Sequence, residues 1–361
     1  MEFMVGLLPG LGDTELAQMA EDLGYSHFGV GDGPILFGDP FVHLAVAART
    51  TQAIKLGTMV VNPVTRIPPA IANAHATLQG LAPGRVFIGI GAANNAMRSL
   101  GMPPAHMDEL EDAIRIMRAL LNGERVQYSW RGRTVEIELL DKAGTMYDIS
   151  RPIPIYVAAG GPKSLDVAAR TGDGVVYSMG CNESLVKLVR REIDASAESA
   201  GRDPSSVKLI SLVWWRFRRK GESVADAVRG GLGSALISTC VNRRQFLLAH
   251  RGIFEPELVD DVVRLSRAYL GAQREKAGAH LDVWKSYVRE VGDRFLPLIT
   301  PRIVDSFAIY GTEDECLEKL ARMAAAGTDA FVVFLSDRGR FREDLLDFSR
   351  AIIRRWPGCV T

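Results

Sequence analysis

Two stretches of this chain end an apolar run in residues that leave backbone polar groups uncovered, VFIGIGAANNA (86–96) and IYVAAGGPKSL (155–165). A buried strand that breaks into glycine, alanine and asparagine has N–H groups free to face a ligand. In a closed parallel sheet such ends gather on one side, at the carboxyl ends of the strands. In the first stretch Gly89 and Gly91 permit close approach of backbone to a ring or chain, and Asn94 or Asn95 offers a donor and an acceptor to a polar edge. In the second, Ala158, Ala159, Gly160 and Gly161 form a low-bulk opening, Pro162 begins a helix, and Lys163 places a mobile cation beside backbone donors that suit a phosphate. A structural close crossover is the competing reading of that opening.

Asp32, in GVGDGP, closes the second apolar run, where a carboxylate either accepts from a ligand hydroxyl or ring N–H or caps a loop. Glu15, His43, His75, Gln79 and Trp214 are further candidates for a substrate pocket, with packing the default for Trp214. Neither His43 nor His75 forms a metal cluster with Asp, Glu or Cys, so no metal is expected. The glycines of GIGAANNA lack the spacing of a dinucleotide fingerprint.

The elements that must hold these residues recur as a strand and helix rhythm. Mostly apolar strand candidates fall at residues 3–8, 27–30, 54–61, 85–90, 153–158, 174–179, 207–215 and 330–335. Amphipathic segments lie between them: one begins at Asp13 and stops at Gly24, and others cover 40–51, 69–81, 107–121, 163–171, 183–200, 313–326 and 341–355. Eight strands alternating with helices predict a (β/α)8 barrel, α/β in class, with residues 1–361 as a single domain. Gly172-Asp173-Gly174 shapes the entry to the sixth strand, on the stability face. Residues 124–150, with Val, Tyr and Ile alternating around Arg131-Gly132, predict a lateral hairpin or rim insertion. Residues 221–301, with helical segments at 257–270 and 281–291, predict a helical insertion after strand seven that covers the catalytic face or builds a subunit contact.

Composition narrows the partners. Forty-three basic residues balance 43 acidic ones, and the Arg216, Arg218, Arg219 and Lys220 cluster reads as a solvated edge, so nucleic acid is not expected. The four cysteines (Cys181, Cys240, Cys316, Cys359) show no paired spacing and read as reduced thiols of a cytoplasmic protein. No apolar run approaches the roughly 20 residues that cross a bilayer. The expected partner is a small-molecule substrate.

LGTMVVNPVTRIPPAIANAHATL, GRVFIGIGAANNAMRSLG, DAIRIMRALLNGERV, PIPIYVAAGGPKSLDVAARTGDGVV and FAIYGTEDECLEKLARMAAAGTDAFVV, in that order, resemble the bacterial-luciferase-like superfamily. The resemblance is strongest to its coenzyme F420-dependent branch, which includes methylenetetrahydromethanopterin reductase and related alcohol and sugar-phosphate dehydrogenases. It implies a (β/α)8 TIM barrel, commonly dimeric, so a homodimer or higher homo-oligomer, with a planar cofactor at the carboxyl ends of the strands. It implies a cofactor-binding segment with Thr58, Met59, Val60 and Asn62, a non-prolyl cis peptide at Met59-Val60 backing the ring, and cofactor roles for Asp32, Gly91, Asn95, Ala158, Ala159, Gly160, Gly161 and Lys163. Asp32 is also the candidate catalytic residue, although Gly33 follows it where relatives place a histidine. The implied activity is hydride transfer between F420 and a small organic substrate; the alternatives are a monooxygenase using reduced FMN and a non-catalytic flavin-binding protein.

Overall fold

The structure is a computed structural model and describes residues 1–178, 180–272, 278, 281, 291–335 and 337–357. Eleven strands are present among them: β1 (Glu2–Leu7), β2 (His27–Val30), β3 (Lys55–Thr58), β4 (Val86–Gly91), β5 (Val126–Trp130), β6 (Arg133–Ile137), β7 (Ile155–Ala159), β8 (Gly174–Tyr177), β9 (Lys208–Phe217), β10 (Ala308–Gly311) and β11 (Ala330–Phe334). Eight of them pair in parallel in the order β1-β2-β3-β4-β7-β8-β9-β11, and β11 returns to β1, so the sheet closes into a (β/α)8 barrel. These are the eight positions the apolar runs predict. Met179, the last residue of the sixth expected run, lies outside the described residues.

Side-chain alternation explains why the runs read as continuous apolar sequence. Met4, Phe87, Tyr156, Val176, Ile210 and Val332 point into the barrel and pack with Met59 and Phe334. Phe3, Val5, Ile88, Val157, Val175, Leu209 and Val333 point out and pack beneath the helices. With both faces buried no polar alternation survives. Truncating an inward ring such as Phe87 to alanine costs about 3–5 kcal/mol in a filled interior.

The outer layer is built from helices Leu16–Asp22, Pro40–Thr50, Pro68–Leu81, Met107–Leu121, Pro162–Thr171, Glu183–Ser199, Glu313–Ala325 and Phe341–Ala351. The first begins later than the sequence suggests. The Asp13 carboxylate accepts from Gly10 N–H at 2.7 Å and Arg338 at 3.0 Å, which fixes a turn there instead of a helix start. Gly24, at φ 88°, ends that helix. On the stability face Asp173 Oδ2 accepts from Ile155 N–H at 2.8 Å and Arg118 at 3.0 Å, tying β7 to the helix layer.

Three features depart from the minimal unit. Strands β5 and β6 form an antiparallel hairpin turned at Arg131 and Gly132, both at positive φ. Strand β10, which the sequence reading missed, pairs with the outer part of β9 from Ala308↔Trp214 to Gly311↔Phe217, beyond the register where β8 leaves off at Tyr177↔Ser211. After β9, helices Gly233–Ala249 and Pro256–Ala272 pack against each other. Asp261 accepts from Thr300 Oγ1 and from Arg264, each at 2.7 Å, which anchors the second of them. The helix expected over 281–291 falls almost wholly outside the described residues.

Candidate active site

The floor of the site is made where β3 breaks. Strands β3 and β4 pair only at Leu56↔Val86 and Gly57↔Phe87, and their parallel contact resumes at Val61↔Ile90. Between these points Met59 N–H donates to Val30 O at 2.7 Å, and the Met59-Val60 peptide is cis, as the resemblance implies. Gly89 lies against this bulge: a Cβ on it would overlap the Thr58 carbonyl. Its small size therefore serves strand packing, not a ligand.

Above the bulge lies a cavity of about 690 Å³, within the range of small-molecule and cofactor pockets. Its walls carry Asp32, Met59, Val60, Gly91, Asn95, Ala158, Ala159, Gly160, Gly161, Lys163 and Trp214, eleven of the residues singled out in the sequence, together with Leu8, Phe37, Leu212 and Phe334. Trp214 meets Phe334 edge-on at 5.0 Å and donates from Nε1 to Thr239 Oγ1 at 3.1 Å.

The remaining candidates sit elsewhere. The Thr58 hydroxyl turns away from the cavity and donates to Gly89 O at 2.9 Å. Asn62 is fully buried in its own turn, its Oδ1 accepting from Val64 and Thr65 N–H. His75 is fully buried, donating from Nδ1 to Ile71 O at 2.8 Å, with Nε2 3.3 Å from Thr58 Oγ1, and burial drives its pKa down to about 4. His43 faces Asp39 O and Gly10 O, clipping its helix to the β1 loop. Glu15 is on the surface, paired with Arg342 at 2.7 Å. Buried Gln79 lies 3.5 Å from Arg151 O and accepts from Gly84 N–H. None of these six lines the cavity.

Asp32 is the acidic side chain on the wall. Its carboxylate is nearly fully buried and receives Arg66 Nε at 2.9 Å. The same guanidinium donates to Asp39 at 2.6 Å and lies over the Phe41 ring, 5.1 Å from its centre. Asp32 therefore offers the cavity an acceptor held in place by a guanidinium that it shares with Asp39.

The opening at 158–161 differs from its sequence reading. The N–H groups of Gly160 and Gly161 both donate to Ser164 Oγ, at 3.0 and 3.1 Å, so these two donors are taken. The sequence reading also missed the wall supplied by helix Gly233–Ala249, which contributes Ser238, Thr239, Asn242, Arg243, Gln245 and Phe246. Asn95 Nδ2 donates to Ser238 Oγ at 2.7 Å and its Oδ1 accepts from Asn242 at 3.3 Å, which fastens this helix to the end of β4. Arg243 Nε donates to Ser178 O at 3.1 Å. One signal was available for it, a basic pair in the otherwise uncharged LISTCVNRRQFLL.

Cys181, Cys240 and Cys316 are buried free thiols, the first pushed up to about 11 by burial. No group of three or more His, Cys, Asp or Glu that could hold a metal occurs among the described residues. Nor is any helix among them long and apolar enough to cross a membrane.

The fold and site define a parallel (β/α)8 barrel with a ligand cavity at the carboxyl ends of its strands, roofed by an inserted helix. The chain belongs to the luciferase-like monooxygenase family, whose model matches residues 13–330. It is 35% identical over 208 residues to an F420-dependent hydroxymycolic acid dehydrogenase of Mycobacterium tuberculosis, an alignment covering 53% of this chain and 55% of that protein, so about half of its length. A 5,10-methylenetetrahydromethanopterin reductase of Archaeoglobus fulgidus is 25% identical over 339 residues, 92% of each chain. Among solved structures, the coenzyme F420-dependent tetrahydromethanopterin reductase of Methanopyrus kandleri superposes with a TM-score of 0.68 over 98% of both chains at 19% identity, a likeness of fold.

Proposed function

We propose that the chain is an oxidoreductase that binds coenzyme F420 in the barrel cavity and transfers hydride between it and a small organic substrate. The observation that carries this reading is the cavity itself: an apolar bulge at Met59 and Val60 faces a space flanked by Asp32, after β2, on one side and by Asn95 and the low-bulk 158–161 opening, after β4 and β7, on the other. That wall suits a flat, polar-edged ring with a tail. The similarity to an F420-dependent hydroxymycolic acid dehydrogenase supports the same cofactor.

When bound, F420 supplies or accepts the hydride. The chain's own residues do the rest. Met59 and Val60 form the surface against which the ring would lie, and Asn95, fixed by Ser238 and Asn242, presents a held amide to its polar edge. Asp32 accepts a hydrogen bond, with Arg66 holding the carboxylate in place. Trp214, Phe334, Leu212 and Phe37 exclude water from the space left for substrate, which strengthens every polar contact there. Helix Gly233–Ala249, inserted after β9, supplies the substrate-facing roof of one barrel domain, and the protein works in the cytoplasm as a homodimer or higher homo-oligomer.

The family description favours a second reading, monooxygenation with reduced FMN and dioxygen. Turnover over a substrate panel separates the two. Anaerobic reduction or oxidation of F420 supports the proposal; product formation that requires reduced FMN and air overturns it.

A further inference from the structure

The carboxyl end of helix Gly233–Ala249 is held from outside the cavity. His250 caps that helix, and its backbone N–H donates to Phe246 O at 3.0 Å. The imidazole Nδ1 lies 3.0 Å from the same carbonyl, and the ring stacks on the Phe246 ring with centres 4.2 Å apart. Phe246 is buried and lines the cavity, so the His250 ring backs a wall residue directly. On the other edge of the ring, Nε2 lies 3.5 Å from Glu192 Oε1 on helix Glu183–Ser199, with both side chains partly buried.

These contacts fix where the protons sit. A carbonyl oxygen only accepts, so Nδ1 carries the hydrogen of the neutral ring and Nε2 is left with a lone pair. That lone pair faces a carboxylate, which has nothing to donate. A second proton on the ring turns the same geometry into a cation, with its N–H on the side of an anion. It also places positive charge at the carboxyl end of helix Gly233–Ala249, where the helix dipole favours it.

The neighbouring groups do not replace this pair. Among the described residues Glu192 has no other ion pair. The Tyr177 phenol on β8 also faces Glu192, but burial raises it well above its ordinary range and keeps it neutral. Arg243, two turns back on the helix, turns its fork to Ser178, and Arg251, beside His250, is exposed.

We propose that His250 is a positioning residue: its protonated ring, paired with Glu192, holds Phe246 and the end of the roof helix against the cavity, so that ligand binding there tightens as pH falls from about 8 to about 6, the range over which imidazoles gain a proton. The first test needs no ligand and so stands apart from the F420 reading.

Hydrogen exchange of the full chain, corrected for intrinsic exchange, is measured at pH 6 and pH 8 in wild type, Glu192→Gln and His250→Phe, the last of which keeps a ring against Phe246. Wild type is expected to protect the peptides around Phe246 at least threefold more at pH 6 than at pH 8, and both variants to lose that difference. Glu192→Gln, a change of the same shape at a partly exposed position, decides alone if His250→Phe does not fold. No difference in wild type, or the same difference in Glu192→Gln, overturns the proposal. Titration with F420 then reads the consequence: the gain in affinity from pH 8 to pH 6 is expected to be at least threefold larger in wild type than in Glu192→Gln. An equal pH profile in the two proteins overturns the proposal. A wild-type protein that shows the exchange difference but binds no F420 supports the role of His250 and overturns the F420 reading.

Discussion

Arg66 Nε donates to Asp32 Oδ2 at 2.9 Å across the wall of the cavity, and Nη2 of the same guanidinium donates to Asp39 at 2.6 Å. Asp32 is nearly buried whereas Arg66 is partly exposed, so the arginine is the half that can be removed while a charge is left behind. Breaking a buried pair from one side costs more than removing both partners. Arg66→Met is expected to destabilise the fold by about 2–3 kcal/mol, and the double variant with Asp32→Asn to recover most of that loss. Urea unfolding of the two single variants and the double variant checks this; additive losses would mean that the pair is not coupled.

Two adjacent glycines should respond differently to one added methyl. At Gly160 a Cβ would fall on the Arg243 guanidinium, whereas at Gly161 nothing lies within 4 Å and the backbone is extended. Gly160→Ala is expected to displace Arg243 and destabilise the fold by about 1–3 kcal/mol, while Gly161→Ala stays within about 0.5 kcal/mol, a difference set by overpacking at one site alone. Urea unfolding of both variants decides it.

The strands, and with them most of the cavity, were legible because a strand covered on both faces has a continuous apolar signature and because its end is marked by small residues. Gly91, the asparagines at 94–95 and the 158–161 run follow from that logic, while Met59, Val60 and the choice of Asn95 rest on the family resemblance. Thr58 fails it by one position, since alternation along β3 turns its hydroxyl towards Gly89. Arg243 and its neighbours were missed for another reason. Their helix buries residues around most of its circumference, from Leu236, Ile237 and Cys240 to Ser238, Thr239 and Arg243, so no periodic stripe marks the side that faces the cavity. Strand β10 was missed because AIYG is four residues long and begins where helix Pro301–Phe307 ends.

The amide of Asn95 reaches across to Ser238 and Asn242 and so couples the end of β4 to the inserted helix. Asn95→Ala is expected to speed hydrogen exchange in Gly233–Ala249 at least threefold without changing exchange in β1 or β11. Unchanged exchange in that helix would show that its docking does not depend on the amide.

Acid stability should carry the signature of His75. Its folded pKa of about 4 lies below the ordinary 6.5, so the unfolded chain takes up a proton first as pH falls. The stabilisation is complete above pH 6.5 and is lost between 6.5 and 4, by up to about 1.4 kcal/mol per pH unit. Burial also pushes the Asp344 carboxyl up to about 6, with the opposite sign, but this acts equally on wild type and variant. The stability difference between wild type and His75→Asn should therefore shrink as pH falls through that window, as measured by urea unfolding at several pH values.

The most direct test of the central claim is equilibrium binding of F420 and FMN to the purified protein, side by side at the same salt and pH, in oxidised and anaerobically reduced forms. F420 is expected to bind at least tenfold more tightly than FMN, with Met59, Val60 and Asn95 at the ring. FMN binding as tightly as F420, or more tightly, would contradict the assignment of this cavity to deazaflavin hydride transfer.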